Sequence, residues 1–127
     1  MIEERRKHQR AKRQLPLKIA DKTFDVITET VDISPAGIYC RVTRLLPLMS
    51  KIELALLLPA KCGRKYAKKI RCKGVVVRIE PLILKDAEKA HYNIAIIFTD
   101  LSKRDQQKIE SYVDSGNLHR EEVVKSN

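Results

Sequence analysis

Six short β-rich runs, cut apart by turn residues and followed by one helical stretch, most constrain what this chain can fold into. Residues 15–20 and 23–31 flank a polar Asp21-Lys22 turn, and the second run is rich in Thr, Val and Ile, which suit a pleated, half-buried surface. Ser34-Pro35-Ala36-Gly37 is a turn by composition, since proline presets φ and glycine permits positive φ. A strand over 38–42 follows and is broken at Leu45-Pro47, and a strand over 51–58 halts at Pro59. Residues 60–68 read as a basic loop and 69–79 as a long strand, in which Gly74 and a change of apolar phase predict a bulge or sharp bend. After a loop over 81–90, Tyr92, Ile94, Ile96 and Phe98 alternate with Asn93 and Ala95, a clean period of two.

The end of the chain changes period. Ser102 with Asp105 resembles a capping box, and Ile109, Tyr112 and Val113 share one helical face. Ser115-Gly116-Asn117 predicts the helix stop. The expected architecture is mainly β: a six-stranded antiparallel barrel with a C-terminal helical lid. It divides into a flexible basic arm over 1–14, the barrel and helix over 15–115, and a frayed tail over 116–127.

A chain of 127 residues is one domain, long enough to bury roughly two-thirds of its unfolded surface. Its longest apolar run, Leu54-Ala55-Leu56-Leu57-Leu58, falls far short of the ~20 residues of a membrane span. The start, Ile2-Glu3-Glu4-Arg5-Arg6-Lys7, lacks the pattern of an export signal, so a cytoplasmic location is expected. Cys40, Cys62 and Cys72 form no C-x-x-C pair and read as reduced, small packing residues. His8, His91 and His119 are scattered without metal-ligand spacing, so neither metal nor cofactor is expected. No Ser/His/Asp or Cys/His grouping, P-loop or G-x-G-x-x-G is present, which argues against an enzyme.

Charge gives the class of partner. The net charge of +10 is concentrated in two segments: residues 1–22 hold eight Lys/Arg against three Asp/Glu, and residues 61–73 hold seven with no acid. Basic segments on a near-neutral body imply a polyanion: a nucleotide, a nucleic acid, or an acidic protein or membrane surface.

Two elements sharpen that choice. Arg5, Arg6 and Arg10 carry planar, permanently charged forks that grip phosphates bidentately or reach the O6/N7 edge of guanine. Asp32, Ser34 and Gly37 place a carboxylate, a hydroxyl and a glycine in one turn; the carboxylate suits the N1–H and N2–H donors of guanine, and glycine lets backbone approach a ligand. Each has an ordinary reading as well. The arginines also fit a solvated tail, and Asp32 with Ser34 an Asx-type turn.

Taken together, Arg5-Arg6-x-x-x-Arg10, Leu15-Pro16-Leu17, Asp32-x-Ser34-x-x-Gly37, Gly74-Val75-Val76-Val77-Arg78, the strand ending at Phe98, Asp100-Leu101-Ser102 and Tyr112-Val113 resemble the PilZ domain family of bacterial cyclic di-GMP receptors. The resemblance runs over residues 4–114 and departs at Ala95, where many members carry glycine, a position within the core-strand pattern that bears on local packing more than on binding. It implies a PilZ-type β-barrel binding cyclic di-GMP on its outer surface, with Arg6 and Arg10 on phosphates and guanine and Asp32, Ser34 and Gly37 on a guanine edge. Arg5, just before the arginine motif, resembles members that bind an intercalated pair of ligands. Arg41 and Arg78 stand as additional ligand contacts, with a solvated strand-end arginine as their ordinary reading.

The arm is expected to order over the ligand, at ~1–2 kcal/mol per fixed residue, and an unidentified effector protein to read the new surface. Two alternatives remain. A PilZ-type adaptor that binds no ligand is disfavoured by the intact motifs. A basic nucleic-acid-binding protein is disfavoured because only four Tyr and two Phe occur, none interleaved with the arginines as stacking platforms.

Overall fold

The computed structural model describes residues 10–59, 68–83 and 89–126, with side chains as far as residue 114. Six strands, β1 (Pro16–Ala20), β2 (Asp25–Ser34), β3 (Gly37–Val42), β4 (Lys51–Leu58), β5 (Lys68–Leu82) and β6 (His91–Phe98), precede the helix α1 (Lys103–Ser126). The strands close in the order β1-β2-β3-β6-β5-β4, every neighbouring pair antiparallel. Closure follows from the alternation. Ile52, Leu54, Leu56 and Leu58 of β4 point inward while Lys51, Glu53 and Leu57 point out, and the same period places Ile38, Cys40 and Val42 of β3 and Ile94 and Ile96 of β6 inside. Rolling the sheet up buries that face and removes the free edges.

Leu46 from the β3–β4 connection, and Ile109 and Val113 from α1, join the same core. The helix starts as its sequence requires: the Ser102 hydroxyl accepts the Asp105 N–H at 3.1 Å, and the Ser102 carbonyl accepts the Gln106 N–H at 2.8 Å. It then continues to Ser126, through the expected stop at Ser115-Gly116-Asn117. A single glycine costs a helix about 1 kcal/mol relative to alanine, which weakens the helix without obliging it to end.

Three other expectations move. First, β5 runs to Leu82, so Pro81-Leu82 is strand rather than loop, paired with Tyr92 and His91. That stretch lies beyond the β4–β5 ladder, which ends at Val75, so the missing N–H of Pro81 deprives no second neighbour. Second, Gly74 stays in register, opposite Ile52 and Phe98, and the irregularity falls between Val76 and Arg78. Glycine is required at 74 for closeness: a Cβ there would meet Ile96 Cγ2 at 2.6 Å.

Third, the last residues of the expected flexible arm are held against the barrel. Ala11 is 3% exposed and exchanges both backbone hydrogen bonds with Ile33, at 2.9 and 3.0 Å. The hydroxyl of Thr30, itself 1% exposed, accepts the Leu15 N–H at 2.9 Å and donates to the Arg13 carbonyl at 2.6 Å. The segment thus prolongs the line of β1 along β2. Residues 1–9, including Arg5 and Arg6, and the basic loop at 60–67 lie outside the described residues.

Candidate functional site

The candidate site is built by two β-bulges. In β2, Val26, Thr28 and Thr30 share the inward phase, which unbroken alternation would extend to Asp32. The register shifts between Thr30 and Asp32, so Val31 is the extra residue, Asp32 turns outward and Ile33 enters the core at 0% exposure. In β5 the shift between Val76 and Arg78 does the same: Val76 is buried, Val77 is extra and Arg78 faces out. Cross-strand pairing then sets one row on the outer wall, Asp32–Tyr39–Ala95–Arg78, from β2 through β3 and β6 to β5. Ala95 therefore lies on this outer row and not in the core, so the departure from the family pattern sits on the face that carries the site.

The held N-terminal segment delivers Arg10 to one end of the row. Its Nε and Nη2 donate to Asp32 Oδ1 at 2.8 and 2.5 Å, and its Nη1 donates to Ser34 Oγ at 3.3 Å. Residues separated by 22 and 24 positions in the chain are thereby joined. The Arg10 and Asp32 side chains retain 38% and 19% of their exposure, so the pair contributes roughly 0–1 kcal/mol to stability and acts mainly by positioning. An arginine has five N–H donors; the three bonds here leave two for a further acceptor. Asp32 Oδ2 accepts no bond from a described residue.

Ser34 is buried at 1% exposure, and its hydroxyl also accepts the Ala36 N–H at 3.2 Å and contacts the Gly37 carbonyl at 3.5 Å. It holds the turn and one arm of Arg10. The turn needs no positive φ: among the described non-glycine residues only Met49 has one, and Ser-Pro-Ala-Gly suits a type I turn. Gly37 is needed instead for strand packing, because a Cβ would collide with the Ile96 carbonyl oxygen on β6. That corrects the expectation that the turn's own conformation calls for glycine here.

The far end of the row is also organised. Tyr39 Oη donates to Glu80 Oε1 at 2.6 Å, and Arg78 Nε meets the same oxygen at 2.9 Å. That hydrogen bond to Glu80, and then burial, raise the Tyr39 phenol above its ordinary pKa. Glu80 lies on β5 and Tyr39 on β3, so the phenol crosses β6 to reach it. Arg41 is exposed one pleat along β3, opposite Asn93, whose buried Oδ1 has no partner among the described residues. Sequence reading missed Tyr39, Glu80 and Asn93, since nothing local distinguishes them from ordinary strand residues. The break in alternation at Val31 was the one available signal for the β2 bulge.

Arg10, Asp32 and Ser34 are thus brought into contact, Arg41 and Arg78 share their face, and Gly37 supports it from beneath. The face presents guanidinium donors and a carboxylate side by side, able to meet phosphate oxygens and the polar edge of a purine. Among the described residues no helix is long and apolar enough to cross a membrane, and no three His, Cys, Asp or Glu group as metal ligands.

A family model described as the PilZ domain matches residues 4–115. No curated protein matches the sequence. Among solved structures, the Bacillus subtilis inhibitor of motility MotI/DgrA superposes with a TM-score of 0.74 at 21% identity, over 90% of this chain and 52% of that one. MrkH of K. pneumoniae in its apo state gives 0.72 at 19% identity, over 92% and 52%. The PilZ domain of YcgR from Escherichia coli, solved with c-di-GMP, gives 0.66 at 12% identity, over 96% and 97%. The chain spans about half the length of MotI/DgrA and MrkH and nearly all of the YcgR domain. At these identities the likeness is one of fold.

Proposed function

Because the chain belongs to the PilZ domain family, we propose that it is a cyclic di-GMP receptor, binding the dinucleotide across the outer face of β2, β3, β6 and β5. The observation that carries the reading is the contact of Arg10 with Asp32 and Ser34, which joins the family's two motifs into one donor–acceptor cluster. In this reading the two remaining donors of Arg10 take a phosphate or the guanine O6/N7 edge, and Asp32 Oδ2 accepts from N1–H and N2–H. Arg6 completes the grip on phosphate, Arg5 stacks in an intercalated ligand pair, and Arg41 and Arg78 add cations for the second half of the ligand. Ser34 and Gly37 hold the geometry from below. The chain works by binding rather than catalysis, and residues before Arg10 order over the ligand and change the surface that an effector protein reads.

Calorimetric titration tests the proposal. Cyclic di-GMP binds saturably near physiological salt, and Arg10→Ala or Asp32→Ala each weakens it by about a hundredfold or more, as expected when hydrogen bonds to charged groups worth ~1.5–3 kcal/mol each are lost. A second reading, an adaptor without ligand, is favoured by the Tyr39–Glu80–Arg78 bonds, which occupy the far half of the face. No heat with the dinucleotide at high concentration decides for the adaptor. Binding that falls steeply with salt and ignores Asp32→Ala decides for a nucleic-acid ligand.

A further inference from the structure

On the barrel wall opposite the candidate site, the outward residues of β1, β4 and β5 form a second cationic surface. A groove of about 440 Å³ runs along it, floored by Ala20 and Ala55 and bordered by Lys18, Lys69, Arg71 and Lys73. Lys18 and Arg71 flank Ala55 directly in register, one from each neighbouring strand. Lys18 pairs weakly with Asp25 at 3.4 Å, while Lys69, Arg71 and Lys73 make no ion pair with a described residue. Two carboxylates, Glu53 and Asp100, stand at the Lys73 end, and exposed Leu57 and Ile27 border the cations in register with Lys69 and Lys18.

We propose that this wall docks an extended, acidic segment of a protein partner. Lys69, Arg71 and Lys73 recur every second residue of one strand, so their stems are spaced by roughly 6.7 Å. An extended peptide with an acid at every second position has the same repeat and can meet all three in turn. A nucleic acid fits less well: its phosphates would continue past Glu53 and Asp100, and none of the residues lining the groove is aromatic to stack a base. A peptide can place a neutral or basic residue there. The surface supplies a docking site for the effector named in the receptor reading, but it rests on the charge and spacing of this wall alone. Its central strand, β4, lies three strands from β3 in either direction around the barrel, and on β5 the cations 69–73 precede the bulge that puts Arg78 on the dinucleotide face, so the two surfaces share a strand but none of these residues.

The test is a titration of the 15N-labelled full chain with a synthetic peptide of alternating Glu and Val ending in Lys. Amide shifts at Lys18, Ala55 and Lys69–Lys73 that saturate, together with a loss of about tenfold or more in affinity for Lys69→Glu/Arg71→Glu, support the proposal. The same variant retains its cyclic di-GMP affinity and unfolding midpoint, so a failure of the receptor reading is seen separately from a failure here. Shifts confined to the Arg10–Asp32 face, peptide binding indifferent to the double substitution, or no shifts at millimolar peptide overturn it. So does tighter binding of oligothymidylate or of phosphatidylserine-containing vesicles at the same amides.

Discussion

Replacing Thr30 by valine removes one hydroxyl from the point where the N-terminal segment meets the barrel. The Leu15 N–H loses its acceptor, and the Arg13 carbonyl loses its donor. Thr30 is 1% exposed, so water does not replace the hydroxyl freely. A buried N–H left without an acceptor costs ~1–3 kcal/mol, and the second bond contributes ~0.5–1.5 kcal/mol, giving a loss of about 1.5–4.5 kcal/mol, with about 2–3 kcal/mol near its centre. The segment is finely balanced against detachment, because releasing residues 10–14 returns ~1–2 kcal/mol of chain entropy for each. Burial of Ala11 and Leu15 and the paired backbone bonds to Ile33 and Thr30 oppose that release. Thr30→Val therefore lowers the urea midpoint by about 1 M for a slope near 2 kcal/mol/M. It also speeds amide exchange at Ala11 and Leu15 more than in β4 or β6, and it weakens cyclic di-GMP binding as Arg10 leaves Asp32. Thr30→Ser keeps the hydroxyl and loses only a methyl, about 1 kcal/mol. An unchanged urea midpoint with unchanged exchange at Ala11 and Leu15 refutes the reasoning that this hydroxyl fastens the segment.

Two further substitutions probe packing. Gly37→Ala forces a Cβ toward the Ile96 carbonyl and destabilises the barrel by about 1–3 kcal/mol or more; thermal unfolding at full stability would show instead that β3 and β6 separate easily. Burial pushes the thiols of Cys40 and Cys72 up to about 12, so both stay protonated at neutral pH. In a Cys62→Ser background, iodoacetamide at mildly alkaline pH leaves the folded protein unlabelled and modifies both thiols in urea. Rapid labelling of folded protein refutes the burial. Because these folded values lie above the ordinary thiol value near ~8.5, the thiols' contribution to stability is whole below that pH and is lost as pH rises toward 12. Urea midpoints measured across the alkaline range follow that decline.

Much of the site's chemistry is legible without coordinates, and its arrangement is not. Arg10, Asp32 and Ser34 are identifiable by residue type and spacing, yet the bond between Arg10 and Asp32 spans 22 residues and exists only because Ala11 pairs with Ile33. Gly37 is visible as a turn glycine, but the constraint upon it comes from Ile96, far away in sequence. Ala95 alternates with Ile94 and Ile96 and so points outward by its own strand's period; only its partners Tyr39 and Arg78 place it on the row that carries Asp32. Sequence reading also ended the helix at Ser115-Gly116-Asn117, a local signal that the continuing helix overrides.

By itself the sequence determined the kinds of element, their order and the charge each presents, because hydrophobic period, turn residues and caps act between near neighbours. Tertiary structure alone decided the phase. One extra residue in β2 and one in β5, accommodated as the barrel closes, turn Asp32 and Arg78 from the core to the outer wall. A bulge leaves almost no mark on local composition, but it reverses every side chain beyond it, and so cross-strand register, not the motif itself, assembles the face that carries Arg10, Asp32 and Arg78.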